Sequence, residues 1–439
     1  MPRYVIIGNS AAGITAAEAI RRVSPGAAVT IVDQEPHHVY SRCLIPEVVA
    51  GMAGRQDIYF RPADFYHRLN LEPLLGKRVD RIEAAKRRLC LEGGTEIPYD
   101  ALLVATGARP ARADVPGENL KGVFTFRTWD DARAIAEMAA DAEEAVVIGG
   151  GLVSLKAAVS LKKRGVHRVT VVVKSRHILS RQLDRQGAVL VQEALEALGI
   201  QFLFGLNPRK FTERAGTSRK KSEVRAVILE DGREIQADLV VVGKGVIPNA
   251  ELIREAGGKV RRGVAVDGHQ RTDLPAIYAA GDVTEATDVL TGETVQSALW
   301  TLAMEQGRVA GLNMAGERCR CGGSLTRLNA AELGGVAFVS VGLVEGEGLG
   351  WKQGVCFDRE KGSYRRLVFR EGRLVGAILV GDISRAGIYT ALIRRGQQVT
   401  GYEEDLLRGE ISAYRFLGVV HSQTGTGAPN QAIGDFSRG

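Results

Sequence analysis

Cysteine is scarce in this sequence of 439 residues, which contains five. The five are Cys43, Cys90, Cys319, Cys321 and Cys356. An odd number without a framework of regular spacings argues against a secreted scaffold held together by disulfides. The stretch "LIPEVVAG" follows Cys43 and holds no second cysteine, so the sequence excludes a reactive dithiol pair at this position.

Long apolar runs are missing as well. No run reaches the roughly 18 residues that a membrane-spanning helix needs, so we expect no membrane partner. The first residues, "MPRYVIIGNS", are typical of a strand that begins at once. This leaves no room for a signal peptide and predicts a cytoplasmic location.

A concentrated basic segment is also absent. The formal net charge is +7 and the isoelectric point is about 9.2, but lysine and arginine are dispersed along the chain. The densest stretch, "RKFTERAGTSRKK" at 209–221, is interpreted as the loop of a surface hairpin. Such a surface suits anionic nucleotides or an acidic redox partner, and we expect no nucleic-acid partner.

Clustered metal ligands are equally rare. Cys319 and Cys321 form a C-x-C pair, which supplies at most half of the four ligands of a metal cluster. The seven histidines show no ligand spacing. The sequence therefore predicts no metal site, and we interpret the cysteine pair as free thiols in a linker between domains.

What the sequence does contain is a nucleotide-binding pattern. Residues 3–33, "RYVIIGNSAAGITAAEAIRRVSPGAAVTIVD", combine a strand, the loop Gly8-x-Ser10-x-x-Gly13, a helix and a second strand that ends at Asp33. Gly8 makes the tight turn, and Gly13 lets the helix pack on the strand. The first N–H groups of the helix then face a pyrophosphate. Asp33 is placed to bind ribose hydroxyls.

The pattern recurs at 144–177, "EAVVIGGGLVSLKAAVSLKKRGVHRVTVVVKSRH", with Gly149-x-Gly151-x-x-Ser154. Two such units in one chain indicate two dinucleotides. Lys174 and Arg176 stand where an NAD-specific site would place an acid. Cations there suit the 2′-phosphate of NADPH, although they could also be ordinary surface residues after a strand.

Three further apolar stretches end in glycine-rich or polar turns: "YDALLVATGARP" (99–110), "VVVGKGVIPNAEL" (240–252) and "LPAIYAAGDVTE" (274–285). Together with the two repeats, they resemble the pyridine nucleotide-disulfide oxidoreductase superfamily of flavoproteins over residues 3 to about 315. The resemblance implies an α/β fold with two Rossmann-like domains, the NAD(P)-binding domain being inserted in the FAD-binding domain, and a C-terminal α+β domain.

The resemblance also implies domain boundaries. The FAD-binding domain would cover 1–112 and 246–318, and the NAD(P)H-binding domain 113–245. A C-terminal interface domain would follow at 319–415. The polar, glycine-rich tail at 416–439 would be mobile or would bind a partner.

Cofactor contacts follow from the same resemblance, with FAD on the first repeat and NAD(P)H on the second. The residues implied for FAD are Gly8, Ser10, Ala12, Gly13, Asp33, Arg42, Thr106, Gly107, Gly281 and Asp282. The residues implied for NAD(P)H are Gly149, Gly151, Ser154, Lys174 and Arg176, and Gly243 is a further cofactor-binding candidate in the glycine-rich exit of its strand. The second site departs from many relatives, which carry a glutamate where this chain has Lys156.

The candidate catalytic residues are Arg42 and Cys43, in "YSRCLIPEVVAG". Single-cysteine relatives reduce coenzyme A disulfide, peroxide or oxygen with a cysteine at about this position. The stretch resembles more closely the rubredoxin reductases and the flavin domain of nitrite reductase. In those proteins the basic residue lies near the flavin and the cysteine position is not catalytic. Arg42 is therefore implied as a cation that stabilises reduced flavin.

The region 363–399 predicts two strands around an "EG" turn and then an amphipathic helix. It resembles the end of the flavin part of NAD(P)H-dependent nitrite reductases and related electron-transfer flavoproteins. Such a domain would cover the flavin edge or form a dimer interface.

Three functions remain open at this stage. The first is an FAD-dependent NAD(P)H:acceptor oxidoreductase that exchanges electrons with an iron–sulfur or other metalloprotein partner. The second is a single-cysteine coenzyme A-disulfide reductase, oxidase or peroxidase that uses Cys43. The third is a flavoprotein subunit with a mainly structural or regulatory role. A homodimer and a larger complex are both compatible with the sequence.

Overall fold

The computed structural model describes residues 1–213 and 223–410. The end of the basic stretch at 209–221 and the whole tail at 416–439 lie outside these residues, so their predictions stay untested. Among the described residues, no helix is both long enough and apolar enough to cross a membrane.

The first segment of the chain alternates strands and helices. Its elements are β1 (Arg3–Ile7), α1 (Ala11–Val23), β2 (Ala28–Asp33), α2 (Ile45–Val49), α3 (Phe65–Arg68), β3 (Glu72–Leu75), β4 (Val79–Glu83), β5 (Arg88–Leu91), β6 (Glu96–Pro98), β7 (Ala101–Val104) and β8 (Ala108–Pro110). A 3₁₀ turn at Arg42–Leu44 leads directly into α2.

The middle segment repeats this alternation. Its elements are β9 (Val123–Phe124), α4 (Trp129–Ala139), β10 (Glu144–Ile148), α5 (Leu152–Arg164), β11 (Arg168–Val173), α6 (Arg185–Ala197), β12 (Ile200–Phe204), β13 (Pro208–Glu213), β14 (Val224–Leu229), β15 (Glu234–Gln236) and β16 (Leu239–Val242). Strands β13, β14 and β15 form a small antiparallel sheet.

The last third of the chain completes the first domain and forms the C-terminal domain. Its elements are β17 (Val246–Pro248), α7 (Glu251–Glu255), β18 (Ile277–Ala279), β19 (Glu285–Thr287), β20 (Thr294–Gln296), α8 (Trp300–Met314), β21 (Leu328–Leu333), β22 (Val336–Gly342), β23 (Trp351–Asp358), β24 (Ser363–Arg370), β25 (Arg373–Val380), α9 (Ala386–Arg395) and α10 (Glu403–Arg408).

Two five-stranded parallel sheets form the frame of the molecule. Their strand orders are β18-β7-β1-β2-β3 and β12-β11-β10-β16-β9. The central strands are continuous apolar runs because both faces of each parallel sheet are covered, one by helices and the other mainly by a small antiparallel sheet, β4-β5-β6 or β13-β14-β15. The glycine loops after β1 and β10 lie at the carboxyl ends of the strands, where open α/β sheets bind ligands. The predicted α/β fold with two Rossmann-like units is confirmed.

The first sheet is built from two parts of the chain, one before and one after the segment that forms the second sheet. Strand β18 joins it beside β7, and β17 pairs antiparallel with β8, so the chain returns to the first domain soon after β16 ends. Helix α8 then packs closely on α1. A Cβ at Gly307 would lie 2.2 Å from the carbonyl oxygen of Ala12, and one at Gly311 would lie 2.4 Å from that of Ala16. Glycine therefore sets the distance between these helices. The numerical domain boundaries stay predictions.

The C-terminal domain is an antiparallel sheet in the order β21-β22-β25-β24-β23. The predicted hairpin is β24 and β25, which turn at Glu371 and Gly372, and α9 follows as expected. One face of the sheet packs on α9 and α10, while side chains from its other face, including Phe338 and Ile378, join the core around α6.

Asp184 ties this sheet to the middle domain. Its carboxylate accepts a hydrogen bond from the N–H of Gly187 at 3.0 Å, which caps the N-terminus of α6. The same carboxylate accepts hydrogen bonds from the hydroxyl of Tyr364 and, at 2.8 Å, from the guanidinium of Arg366. Burial and the adjacent carboxylate raise the pKa of Tyr364, which keeps this hydroxyl protonated as a donor.

We expect Asp184→Ala to lower the free energy of unfolding by about 2 kcal/mol, because it removes a helix cap and two partly buried partners. Urea unfolding measures the change. The control is Glu193→Ala on the same helix, whose partner Arg359 is exposed, and we expect it to cost less than about 0.5 kcal/mol. Equal losses in the two variants would contradict a special role for Asp184.

Candidate functional site

The two glycine turns have the same geometry. Gly8 and Gly149 both have φ of 120°, a conformation that favours glycine. Each donates its N–H at 2.8 Å to the second strand of its unit, to the carbonyl of Val32 or of Val172. A Cβ at Gly8 would lie 2.1 Å from the carbonyl oxygen of Ala105. At Gly149 it would lie 2.5 Å from that of Gly243, so neither turn admits a side chain.

The helices that follow these turns begin without caps. Neither Ser10 before α1 nor Gly151 before α5 supplies a side-chain cap, and neither first turn contains an acid. The first N–H groups of both helices are therefore available to an anion, such as the pyrophosphate of a dinucleotide. By contrast, Thr128 caps α4 in a capping box, and Asp184 caps α6.

Gly13 and Ser154 occupy the same place in the two repeats. A Cβ at Gly13 would lie 1.9 Å from the carbonyl oxygen of Gly8, so only glycine fits. The second repeat has Ser154 at this place, and Gly243 where the first has Ala105; a Cβ at Gly243 would lie 2.2 Å from the serine Oγ. The buried Ser154 hydroxyl donates to the carbonyl of Gly243 at 3.0 Å. Its side chain positions the loop.

Asp33 lies at the carboxyl end of β2, as predicted, and it also holds the first glycine loop. Its carboxylate accepts the N–H of Asn9 at 2.6 Å and the N–H of Glu35 at 2.7 Å. The amide oxygen of Asn9 accepts a hydrogen bond from Tyr66 at 2.8 Å, inside the protein. Burial raises the pKa of Asp33, and the two N–H donors oppose this.

Thr106 and Gly107 lie at the crossover between the two domains. The Thr106 hydroxyl donates to the carbonyl of Asn249 at 2.8 Å, and the Asn249 amide donates back to the carbonyl of Thr106 at 2.9 Å. The N–H of Asn249 also reaches the carbonyl of Gly107 at 3.0 Å. This reciprocal bonding fixes the chain where it re-enters the first domain, and the sequence did not indicate the part that Asn249 takes in it.

Gly281 and Asp282 follow β18 and face the first glycine loop. Gly281 has φ of +84°, and a Cβ there would lie 3.1 Å from the Cβ of Ala12. The N–H of Gly281 donates to the side-chain oxygen of Gln306 on α8 at 2.8 Å. Asp282 pairs with Arg127 at 2.9 Å, and both side chains are only 19% exposed. Arg127 belongs to the middle segment, so this ion pair bridges the two domains.

Arg42 is held by a group of partly buried side chains beside the Arg127–Asp282 pair. Its guanidinium pairs with Glu35 at 2.5 Å and donates at 3.0 Å to the hydroxyl of Tyr40 and at 3.1 Å to the carbonyl of Arg127. Burial opposes its charge, but Tyr40 and Glu35 raise the pKa of Arg42 and keep it ionised. Glu35, Tyr40 and Arg127 carry no motif of their own, so the sequence did not indicate their part in this group.

Cys43 is exposed beside this group, at the 3₁₀ turn before α2. Partial burial of the sulfur raises the pKa of the Cys43 thiol, and the charge of Asp282 adds to this. Lys156 and a hydrogen bond with Ser41 act in the opposite direction. The net rise favours a protonated thiol at neutral pH, whereas a reactive nucleophile needs a lowered pKa.

Lys174 and Arg176 lie just beyond the carboxyl end of β11, and both are exposed. Over residues 1–213 and 223–410, neither forms an ion pair with a carboxylate. Their charge is therefore available to a ligand at the carboxyl edge of the second parallel sheet.

The remaining cysteines are free thiols with separate surroundings. Cys319 Sγ lies 3.9 Å from the guanidinium of Arg308, while Cys321 Sγ lies 3.7 Å from Glu305. The side chains of Glu83, Cys90 and Glu96 do approach one another. Arg88 and Lys86 neutralise the two carboxylates, so we assign no metal site there.

A pair of family models matches almost the whole described chain. Residues 2–307 match the pyridine nucleotide-disulphide oxidoreductase family, and residues 325–397 match the rubredoxin NAD+ reductase C-terminal domain. The chain belongs to the pyridine nucleotide-disulphide oxidoreductase family. The resemblance stated from the motifs is confirmed.

Individual relatives extend this likeness. The chain is 30% identical to the assimilatory nitrate reductase electron transfer subunit of Bacillus subtilis (strain 168), over 96% of this chain and 53% of that protein. It is 31% identical to an NADH oxidase of Methanocaldococcus jannaschii, over 86% of this chain and 87% of the other. A solved NAD-dependent persulfide reductase from A. fulgidus superimposes with a TM-score of 0.81 at 28% identity, over 90% of this chain and 77% of that one. The chain thus spans about half the length of the Bacillus subtilis relative.

Family membership implies a flavin and NAD(P)H, the two groups that the motifs predict. The residues present fit these groups. Both glycine turns present uncapped helix N-termini at the carboxyl ends of parallel strands. Within residues 1–213 and 223–410, no atom beyond Gly151, its chain neighbours and its own helix lies within 4 Å of the place that a Cβ of Gly151 would take, so the second loop leaves open space in front of its helix.

We expect Gly151→Ala to weaken the binding of NADH and NADPH by about tenfold, or about 1.4 kcal/mol, because its methyl group would fill that space. The φ of −86° accepts alanine, so the free energy of unfolding should fall by no more than about 1 kcal/mol, the usual cost of a poorer N-cap residue. Fluorescence titration measures the affinity.

The matched control is Gly26→Ala, which also has nothing within 4 Å of the new methyl group and lies away from both glycine loops. Normal nucleotide binding by Gly151→Ala would show that no phosphate approaches this turn.

Proposed function

We propose that this protein is an FAD-dependent NAD(P)H:acceptor oxidoreductase that passes electrons to an iron–sulfur or other metalloprotein partner. The observation that carries the proposal is the pair of uncapped glycine turns, which sit on two parallel sheets joined at one crossover. They supply two dinucleotide sites in one chain.

The assignment of FAD to the first unit rests on the residues around its loop. The N–H groups of Ala12 and Gly13 would face the pyrophosphate, and Asp282 and Gly281 close the same cleft from β18. When bound, the flavin accepts a hydride and releases electrons singly or in pairs. The protein contributes a charged, partly buried surround made by Arg42, Glu35 and their partners.

The choice of acceptor rests on the C-terminal domain and on the thiol. Residues 325–397 match the domain named for rubredoxin NAD+ reductase, and the Bacillus subtilis relative is an electron transfer subunit. Cys43 has a raised pKa and no partner cysteine follows it, which disfavours a thiol-based cycle. Electron transfer from the flavin to a partner's metal centre needs neither a reactive thiolate nor a second cysteine.

The direct test supplies the purified, flavin-loaded protein with NADH or NADPH and a rubredoxin or a [2Fe–2S] ferredoxin. Bleaching of the acceptor's visible absorption band is the expected result. Turnover with coenzyme A disulfide, persulfide or oxygen but not with either iron–sulfur protein would overturn the proposal. Failure of NAD(P)H to reduce the flavin at all would favour a structural or regulatory subunit.

A second candidate is thiol chemistry at Cys43, which the likeness to an NADH oxidase and a persulfide reductase supports. We expect Cys43→Ser to retain at least about half of the rate of iron–sulfur protein reduction, because a protonated thiol takes no part in flavin oxidation. Stopped-flow absorbance measures the rate.

Cys356→Ser serves as the control, since Cys356 is also exposed but lies on the remote strand β23. A hundredfold loss confined to Cys43→Ser, together with a charge-transfer band in the wild type, would instead establish the thiol as redox-active.

We also propose a preference for NADPH, because Lys174 and Arg176 present free cations beyond β11. Lys174→Ala should raise the KM for NADPH by about fivefold or more and leave that for NADH within about twofold, since only NADPH carries the 2′-phosphate. Steady-state kinetics with both nucleotides measure the difference, with exposed Lys163→Ala as the control. Better use of NADH by the wild type, unchanged in Lys174→Ala, would refute the preference.

A further inference from the structure

The junction between the first domain and the inserted domain carries three cations near Cys43. Two of them have partners: Arg42 pairs with Glu35, and Arg127 pairs with Asp282. The third is Lys156, which is half-buried in α5. In the described part of the chain, no carboxylate forms an ion pair with Lys156. Among these three cations, Lys156 is therefore the one without a carboxylate partner in the described part of the chain.

Packing of α2 on α5 shows where Lys156 points. Ile45, Val48 and Val49 of α2 share one core with Leu155 and Leu161 of α5. The segment that follows α2 stays on the same helix, since Lys163 Nζ lies 3.6 Å from Met52 Sδ. Lys163 therefore marks the side of α5 that faces α2.

Lys156 lies on that same side. Seven residues separate it from Lys163, which is nearly two helical turns, so the two side chains project about 20° apart and about 10 Å apart along the axis. Met52 lies beside Lys163 at one end, and Cys43 precedes α2 at the other. The positive charge of Lys156 accordingly acts on the Cys43 thiol, where it opposes the negative charge of Asp282.

We propose that Lys156 is a positioning residue that stabilises negative charge at this junction, both on the Cys43 sulfur and on the reduced flavin. The second half rests on the proposed function, which places the flavin at the carboxyl edge of the first sheet beside Arg42 and Asp282. Because no described carboxylate pairs with Lys156, its removal changes the local field without freeing a buried partner.

The experiment compares full-length, flavin-loaded wild type with Lys156→Gln, Lys156→Arg and the matched control Lys163→Gln. The first readout is the rate at which iodoacetamide alkylates Cys43 at pH 7.5, followed on its peptide by mass spectrometry. The second is the midpoint potential of the bound flavin. Only the thiolate reacts, so below the thiol pKa this rate follows the thiolate fraction.

We expect Lys156→Gln to slow alkylation by about three- to tenfold, because loss of a nearby cation raises the thiol pKa and lowers the thiolate fraction. Lys156→Arg, which keeps the charge, and Lys163→Gln, which is on the same face but distant, should stay within about twofold. The midpoint potential should fall in Lys156→Gln alone.

A loss of less than about threefold in Lys156→Gln, an equal loss in Lys163→Gln, or an unchanged midpoint potential overturns the proposal. Lack of bound flavin in the wild type counts against the proposed function instead, and the alkylation rates then decide the role of Lys156 by themselves.

Discussion

The structure depends on two places where a strand turns into a helix with no room for a Cβ. A Cβ at Gly8 would lie 2.1 Å from the carbonyl oxygen of Ala105 and one at Gly149 would lie 2.5 Å from that of Gly243, and both glycines adopt φ of 120°. Any side chain there would push α1 or α5 away from its sheet. The helix N-termini would then no longer face the cleft at the carboxyl edge. In the first domain the helix is also fixed from outside, because α8 approaches α1 through Gly307 and Gly311.

The second repeat shows that this constraint concerns space rather than residue identity. Gly13 has room for hydrogen alone, whereas Ser154 carries both a Cβ and a hydroxyl at the matching position. The serine Oγ occupies the space that a side chain at Gly243 would fill, and the first repeat has Ala105 at the place of Gly243. The serine hydroxyl then bonds to the backbone it would otherwise crowd. A departure from the motif in one element is thus balanced in another, roughly 90 residues away along the chain.

Local patterns predicted the fold well because each nucleotide-binding unit is about thirty residues of strand, turn, helix and strand with fixed spacings. The turns, the helices that follow them and the acid at Asp33 could all be predicted from the sequence. Contacts between distant segments could not. Arg127 and Asp282 are separated by 155 residues, and Thr106 and Asn249 by 143. Nothing in the spacing of either pair indicates that they meet, since only the crossing of two domains brings them together.

The same contacts change the meaning of the stretch around Cys43. From the sequence, Arg42 and Cys43 are candidates for two different tasks, a cation that stabilises reduced flavin and a thiol nucleophile. In the structure the cation is part of a fixed group with Glu35 and Tyr40, and the thiol has a raised pKa. Charges held in place before a reaction stabilise developing charge at no cost of reorganisation, which is the property an electron-transfer flavoprotein needs. A thiol-based cycle needs a stabilised thiolate, and here Lys156 supplies only part of that stabilisation against burial and Asp282.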